Sequence, residues 1–168
     1  MKIKRQKKKQ IMLMLCILLI LMTGKIDFGG EYTRLEHEYL GNRISCDVIR
    51  VVDGDTFVAL LNEQEEKVRL IGVDTPESVH PDKSKNTEAG ALASEYASGL
   101  LENQTVQLEL DVQERDKYGR ILAYVYLEDG TFLNEKLILD GYAKIATYPP
   151  NVKYVDVFKK AAESREQK

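Results

Sequence analysis

Cysteine and histidine are scarce in this chain, with two of each among 168 residues, and tryptophan is absent. Cys16 falls inside an apolar N-terminal run, so a processed chain keeps only Cys46 and has no partner for an intramolecular disulfide. Cys46 reads as a small buried apolar residue at the start of a strand. His80 sits in a polar loop with no second histidine or cysteine at ligand spacing, which speaks for a solvated residue over a zinc ligand. Beyond the N-terminus there is no repeat and no low-complexity tract, which points to one globular domain with a modest core.

Long apolar runs are also lacking. The longest, Ile11 to Met22, is twelve residues, too short to span a bilayer comfortably. It follows six basic side chains between Lys2 and Lys9 and leads into Thr23-Gly24, the pattern of a secretory leader. A clean Ala-x-Ala exit is missing, so both a cleaved leader and an uncleaved membrane anchor are compatible with residues 1–24. Export to the extracellular space is expected either way. Without those residues the basic count falls from 24 to 18 against 27 acidic, and the formal charge moves from -3 to -9. So acidic a domain is no general polyanion binder, and a nucleic-acid substrate has to be met by local cations and a bridging metal.

Residues 25–43 mix Gly29-Gly30 with scattered charges and read as a linker; residues 44–168 carry the domain. Ile44 to Val52 is a first strand, and Asp53-Gly54 a corner. Phe57 to Leu61 and Val68 to Val73 are short apolar runs, and polar Asn62 to Glu66 reads as their hairpin connection. With the turn centred between Gln64 and Glu65, Asp55 falls opposite Asp74. Directly opposed residues are about 4.5 to 5.5 Å apart at Cα, and two carboxylates that close need a positive group between them. A hard cation answers this, and carboxylate, carbonyl and water oxygens suit Ca²⁺. Alternation puts Arg69 and Asp74 on opposite faces, so either a bulge intervenes or Asp74 has left the strand. Arg69 offers a planar fork for phosphate oxygens. Glu77, beyond a Thr-Pro step, is a candidate general base for a nearby water. Each short motif alone is an ordinary turn or loop opening; their convergence carries the reading.

Ser78 to Asn86 reads as an exposed loop beside the site, where Lys83 and Lys85 either meet phosphates or are merely solvated. Asn86 or Thr87 caps a helix to about Asn103, with Ala89, Leu92, Ala93, Tyr96 and Leu100 as its apolar stripe. Val106, Leu108, Leu110 and Val112 alternate as a half-buried strand. Asp116-Lys117-Tyr118-Gly119-Arg120 is a charged turn opening into Ile121 to Tyr126, and Arg120 stands as the second half of a phosphate clamp. Phe132 to Asp140 is a short helix closed by Gly141. Tyr142 to Thr147 is extended, Tyr148-Pro149-Pro150-Asn151 a rigid corner, and Val152 to about Arg165 a last helix with Val155, Phe158 and Ala162 inward. Tyr118 and Tyr148 are either stacking platforms for a base or half-buried rim residues. Three strands, a helix, two strands and two helices make an α+β layout, that of a five-stranded OB-fold barrel with three helices.

Asp53-Gly54-Asp55-Thr56, Arg69 through Glu77, and Asp116 through Arg120 with the strand after it resemble the two signature motifs of thermonuclease, the staphylococcal-nuclease-like family. The likeness runs from about Ile44 to the C-terminal helix. It implies a Ca²⁺-dependent phosphodiesterase, a thermonuclease-like endonuclease that cuts DNA and RNA and leaves 3′-phosphates; a site that reads backbone charge carries little sequence specificity, and the chain is expected to be a secreted monomer. By position it makes Asp55 and Asp74 calcium carboxylates and gives Thr75 a liganding carbonyl. Arg69 and Arg120 become the clamp, Glu77 the base, and Lys117 and Tyr118 contacts to a terminal phosphate. Three departures stand out: Phe57 replaces an aliphatic residue, Thr147 replaces a pocket tyrosine for which Tyr148 next door is the candidate substitute, and the family's Trp-containing tail is missing. The alternative is a catalytically inactive OB-fold module that binds nucleic acid. Such a copy is expected to lack a metal carboxylate, the base or an arginine, and this chain keeps them all.

Overall fold

The computed structural model describes residues 43–78, 82, 84 and 86–167. The leader, nearly all of the linker, His80, Lys83 and Lys85 lie outside the described residues. The elements run β1 (Arg43–Asp53), β2 (Thr56–Leu61), β3 (Gln64–Leu70), β4 (Gly72–Asp74), α1 (Glu88–Leu101), β5 (Thr105–Arg115), β6 (Ile121–Tyr126), α2 (Leu133–Leu139), β7 (Lys144–Ala146) and α3 (Val155–Glu166). Five strands close a barrel in the order β1-β2-β3-β6-β5. β1 meets β5 antiparallel, and β3 meets β6 parallel through Val68 opposite Ile121. This is the expected five-stranded OB-type barrel with three helices. Among the described residues, no helix is long and apolar enough to cross a membrane.

The hairpin register differs from the sequence expectation. Asn62 and Glu63 alone make the turn, both at positive φ, and Leu61 already faces Gln64. Two-residue turns of this handedness match the right-handed twist of the strands they join. Gln64, Glu65 and Glu66 therefore belong to β3 rather than to a loop, and Arg69 pairs with Thr56. Asp55 is not opposite Asp74.

The apolar run after Val68 does not stay in one strand. It breaks at Ile71, and Gly72 at φ 78° starts β4, which pairs with β7 outside the barrel. A Cβ on Gly72 would sit 2.3 Å from the Phe158 ring, so the missing side chain lets α3 press on the break. Buried Asn134 spans the same place, accepting from the Val125 amide at 2.9 Å and donating to the Ile71 carbonyl at 2.8 Å.

Thr87 caps α1 by accepting from the Gly90 amide at 3.0 Å. The buried face is Gly90, Ala93, Ala97 and Leu101, rotated from the expected stripe: Ala89 is exposed and Leu92 is 53% exposed. Small residues face the barrel because the helix lies close to it, and the larger ones flank the contact. Val112, expected inward, is exposed because β5 slips its register against β6 between Leu110 and Arg115. On α3, Phe158 and Ala161 are buried, while Val155 and Ala162 are half-buried. α2 ends as expected, with the Tyr142 amide on the Leu137 carbonyl and the Gly141 amide on that of Ile138. Cys46 is buried, and burial together with Asp47 pushes its thiol up to about 12.

Glu109 is a buried acid on β5. It accepts from Tyr154 Oη at 2.9 Å, Arg43 Nε at 3.3 Å and Lys153 Nζ. Burial works to raise its carboxyl, and the bonds from Lys153, Tyr154 and Arg43 outweigh that and leave it below the usual range. A depressed folded-state value means stability that is present above the unfolded value, about 4.3, and lost as the pH falls through the folded one. Glu109→Gln is therefore expected to flatten the acid limb of stability against pH, read by denaturant unfolding from pH 6 downward. An acid limb identical to that of the unsubstituted chain would remove Glu109 from the account.

Candidate active site

The corner between β1 and β2 is packed from both sides. A Cβ on Gly54 would meet the Thr75 side chain at 2.9 Å and Ala93 at 3.0 Å, so only glycine lets the β4 exit and α1 close on it. Asp55 is thereby buried, its side chain 1% exposed. Its Oδ2 accepts from the Thr75 amide at 2.9 Å, and its Oδ1 accepts from Thr56 Oγ1 at 3.0 Å and from Arg69 Nη1. Arg69 Nη2 donates to Asp74 Oδ1 at 2.7 Å and to the Val73 carbonyl at 3.4 Å.

The guanidinium of Arg69 thus lies between the two carboxylates. The sequence brought Asp55 and Asp74 together through strand pairing and put a metal between them; the structure brings them together through Arg69. Of the two ways to place Asp74 on the side of Arg69, the second applies: the chain has left β3 at Ile71. Burial raises the Asp55 carboxyl above the usual aspartate value, against the opposing pull of Arg69 and of the Thr75 and Thr56 hydrogen bonds.

The carboxylates of Asp55 and Asp74 and the Thr75 carbonyl are hard-oxygen donors, the chemistry that would suit a cation such as Ca²⁺. The buried Thr75 Oγ1 has no hydrogen-bond partner, a further oxygen in the same corner. Among the described residues no group of three or more His, Cys, Asp or Glu is gathered for a metal, so carbonyl and water oxygens would have to complete the shell.

Glu77 is exposed at the rim, and its backbone is held tightly. Its carbonyl accepts from the Thr87 amide at 3.0 Å, and a Cβ on Gly90 would fall 2.1 Å from that oxygen. Asp53 fastens the segment from below: its Oδ1 accepts from the Gly54 amide at 2.9 Å, Ser78 Oγ at 2.7 Å and Ser94 Oγ at 3.1 Å. Asp53 stood in the motif without a role, and Ser78, Ser94 and Gly90 were not singled out. The available signal was a glycine in the first turn of an otherwise good helix.

Across the cleft, the turn 116–120 is built around Asp116. Its Oδ1 accepts from the Tyr118 amide at 2.8 Å and the Arg120 amide at 3.0 Å, and its Oδ2 from Arg120 Nε at 2.7 Å. Gly119 takes φ 81°. Burial acts to raise the Asp116 carboxyl, and the Arg120 and amide bonds prevail and hold it below the usual range. With Nε engaged, the terminal nitrogens of Arg120 are the edge left for a ligand. The Lys117 ammonium lies 4.9 Å from the centre of the exposed Tyr118 ring. Tyr148, also exposed, is presented by a corner that Asn151 pins to β5, donating to the Gln113 carbonyl and accepting from its amide, each at 2.8 Å. Asn151, too, was missed as a support.

Arg69, Asp74, Glu77, Lys117, Tyr118, Arg120 and Tyr148 all line one cleft of about 690 Å³, together with the apolar Leu122 and Ala146. Asp55 and Thr75 lie beneath its wall, joined to it by Arg69. A cleft lined by arginines, a lysine, carboxylates and exposed tyrosine rings suits a phosphate with a base attached.

The profile of the family described as staphylococcal nuclease homologue matches residues 67–168. A thermonuclease of Staphylococcus intermedius is 39% identical over 94% of this chain and 92% of its own length. A thermonuclease of Staphylococcus hyicus is 42% identical over 75% and 73%, respectively. Endonuclease YncB of Bacillus subtilis is 42% identical over 69% of this chain and 55% of its own.

Proposed function

The chain belongs to the staphylococcal nuclease family, and from that premise we propose a secreted, monomeric, Ca²⁺-dependent nuclease that hydrolyses phosphodiester bonds of DNA and RNA and leaves 3′-phosphates. The observation that supports the proposal is one cleft lined by both Arg69, tied to Asp55 and Asp74, and Arg120. Asp55, Asp74 and the Thr75 carbonyl would hold Ca²⁺, which when bound supplies charge neutralisation at a phosphoryl oxygen and a bound water.

Arg69 and Arg120 grip the remaining phosphoryl oxygens, and Arg120 bonds most strongly to the charge that builds on them in the transition state. Glu77 takes a proton from the water attacking phosphorus in line. The P–O5′ bond breaks, the phosphate stays on the 3′ side, and the 5′-oxygen takes a proton from solvent. Lys117 and Tyr118 bind a terminal phosphate, and Tyr148 stacks on a base. Backbone charge rather than base edges is read, so sequence specificity is low. The basic and apolar leader supports export, with membrane attachment only where that segment is retained.

The test is digestion of plasmid DNA and of single-stranded RNA by the purified chain in Ca²⁺, followed by chelator. Cleavage that stops on chelation and gives 3′ ends that a polymerase extends only after phosphatase treatment is expected. Tight nucleic-acid binding with no cleavage at saturating Ca²⁺ would overturn the proposal in favour of the inactive module.

A further inference from the structure

The turn that carries Lys117, Tyr118 and Arg120 is joined to the barrel unequally on its two sides. Arg120 leads directly into β6, where Ile121 pairs with Val68 of β3. The other side enters from β5, whose pairing with β6 lapses after Leu110 and returns only at Arg115, opposite Ile121. The bonds to Asp116 fix the shape of the turn, but they lie within it and do not hold it against the barrel.

Arg115 supplies that hold. Its Nη2 donates to Glu66 Oε1 at 2.7 Å and its Nη1 to Glu66 Oε2 at 3.0 Å, a two-pronged pair with a strand whose Arg69 lies three residues on. The same Nη1 also donates to the Gly119 carbonyl at 2.8 Å. Among the described residues, this is the side chain that ties a carbonyl of the turn to β3. Arg115 itself is steadied by Gln113, whose Nε2 donates to the Arg115 carbonyl at 2.8 Å. A planar guanidinium reaches both carboxylate oxygens and the carbonyl at once; an ammonium does not.

We propose that Arg115 is a positioning residue for the phosphate-binding turn: locked on Glu66, it holds Gly119 and so sets Lys117 and Tyr118 where a terminal phosphate is gripped. The proposal rests on the nuclease reading for its effect on substrate, and on the geometry alone for its effect on the turn. Exposed ion pairs add little to global stability, so the variants should fold. Their effect belongs to the ground-state grip of Lys117 and Tyr118, hence to KM, while Arg120 keeps its own bonds to Asp116.

The experiment has two arms, on Arg115→Ala, Arg115→Lys and Glu66→Gln. In the first, steady-state cleavage of single-stranded DNA in Ca²⁺ is expected to show KM raised by roughly three- to tenfold in Arg115→Ala. Its kcat should stay within about twofold. Arg115→Lys should not restore KM, and Glu66→Gln should fall between. In the second, amide hydrogen exchange of the free chain is expected to quicken at Tyr118 and Gly119 with the melting temperature unmoved. An unchanged KM in a variant that melts like the original, full rescue by lysine, or unchanged exchange in the turn would each overturn the proposal. If the unsubstituted chain cuts nothing, the nuclease reading fails, and the exchange arm still decides whether Arg115 holds the turn.

Discussion

Arg69→Ala is expected to lose both stability and nearly all turnover. Among the described residues, this side chain is the cation shared by Asp55, which is buried, and Asp74, which is 58% exposed. Breaking a buried pair leaves an uncompensated charge; with Asp74 open to solvent, a loss of about 2 to 4 kcal/mol is expected. The Asp55 carboxyl, already raised by burial, should rise further. A group raised in the folded state lets the folded protein hold its proton more tightly, so the deficit of the variant is full at neutral pH and shrinks as the pH falls through the folded value of Asp55. Denaturant unfolding in the absence of metal, at pH 7 and pH 4, reads this directly. Equal stability of variant and parent at pH 7 would mean that Arg69 does not serve as the counter-ion of the carboxylates. Turnover should fall by roughly 10² to 10³ as one arm of the phosphate clamp is lost.

The second large effect is expected from Arg120→Lys. In the folded chain Nε is committed to Asp116, which turns the terminal nitrogens toward the cleft. A lysine offers one compact charge and cannot bond Asp116 and two phosphoryl oxygens together. If Arg120 meets charge that develops in the transition state, kcat falls by roughly 10² to 10³ while KM changes only a few-fold. Comparable losses in kcat and in affinity would assign Arg120 to ground-state binding instead.

These effects depend on contacts of unequal legibility. The barrel was visible in the sequence because alternation, turn residues and helix caps repeat over many positions, and errors at single positions cancel. The hairpin register was not. A polar stretch reads alike as loop and as the outer face of a strand, and Glu63 at positive φ gave no turn signature. The α1 stripe shifted for a related reason: glycine and alanine score poorly as apolar residues, yet they face the barrel because they are small. At the site, the residue types that do chemistry were readable, since carboxylates and arginines in compact motifs are few. Their supports were not. Asp53, Ser94 and Asn151 act by hydrogen bonds across 38 to 41 residues of sequence, and Glu66 meets Arg115 across 49. Nothing local announces such partners. Asp55 and Asp74 were expected to meet across a strand pair with a metal cation between them; they meet instead through the guanidinium of Arg69, an arrangement that needs the break at Gly72.

Arg69 occupying the space between the acids makes cation binding the sharpest test of the proposed chemistry. Calorimetric titration of Ca²⁺ into the purified chain and into Asp55→Ala, without nucleic acid, addresses it most directly. The account predicts one saturable site in the parent and none in the variant. Saturable binding of the same affinity in Asp55→Ala would contradict it, because the cation would then be held elsewhere.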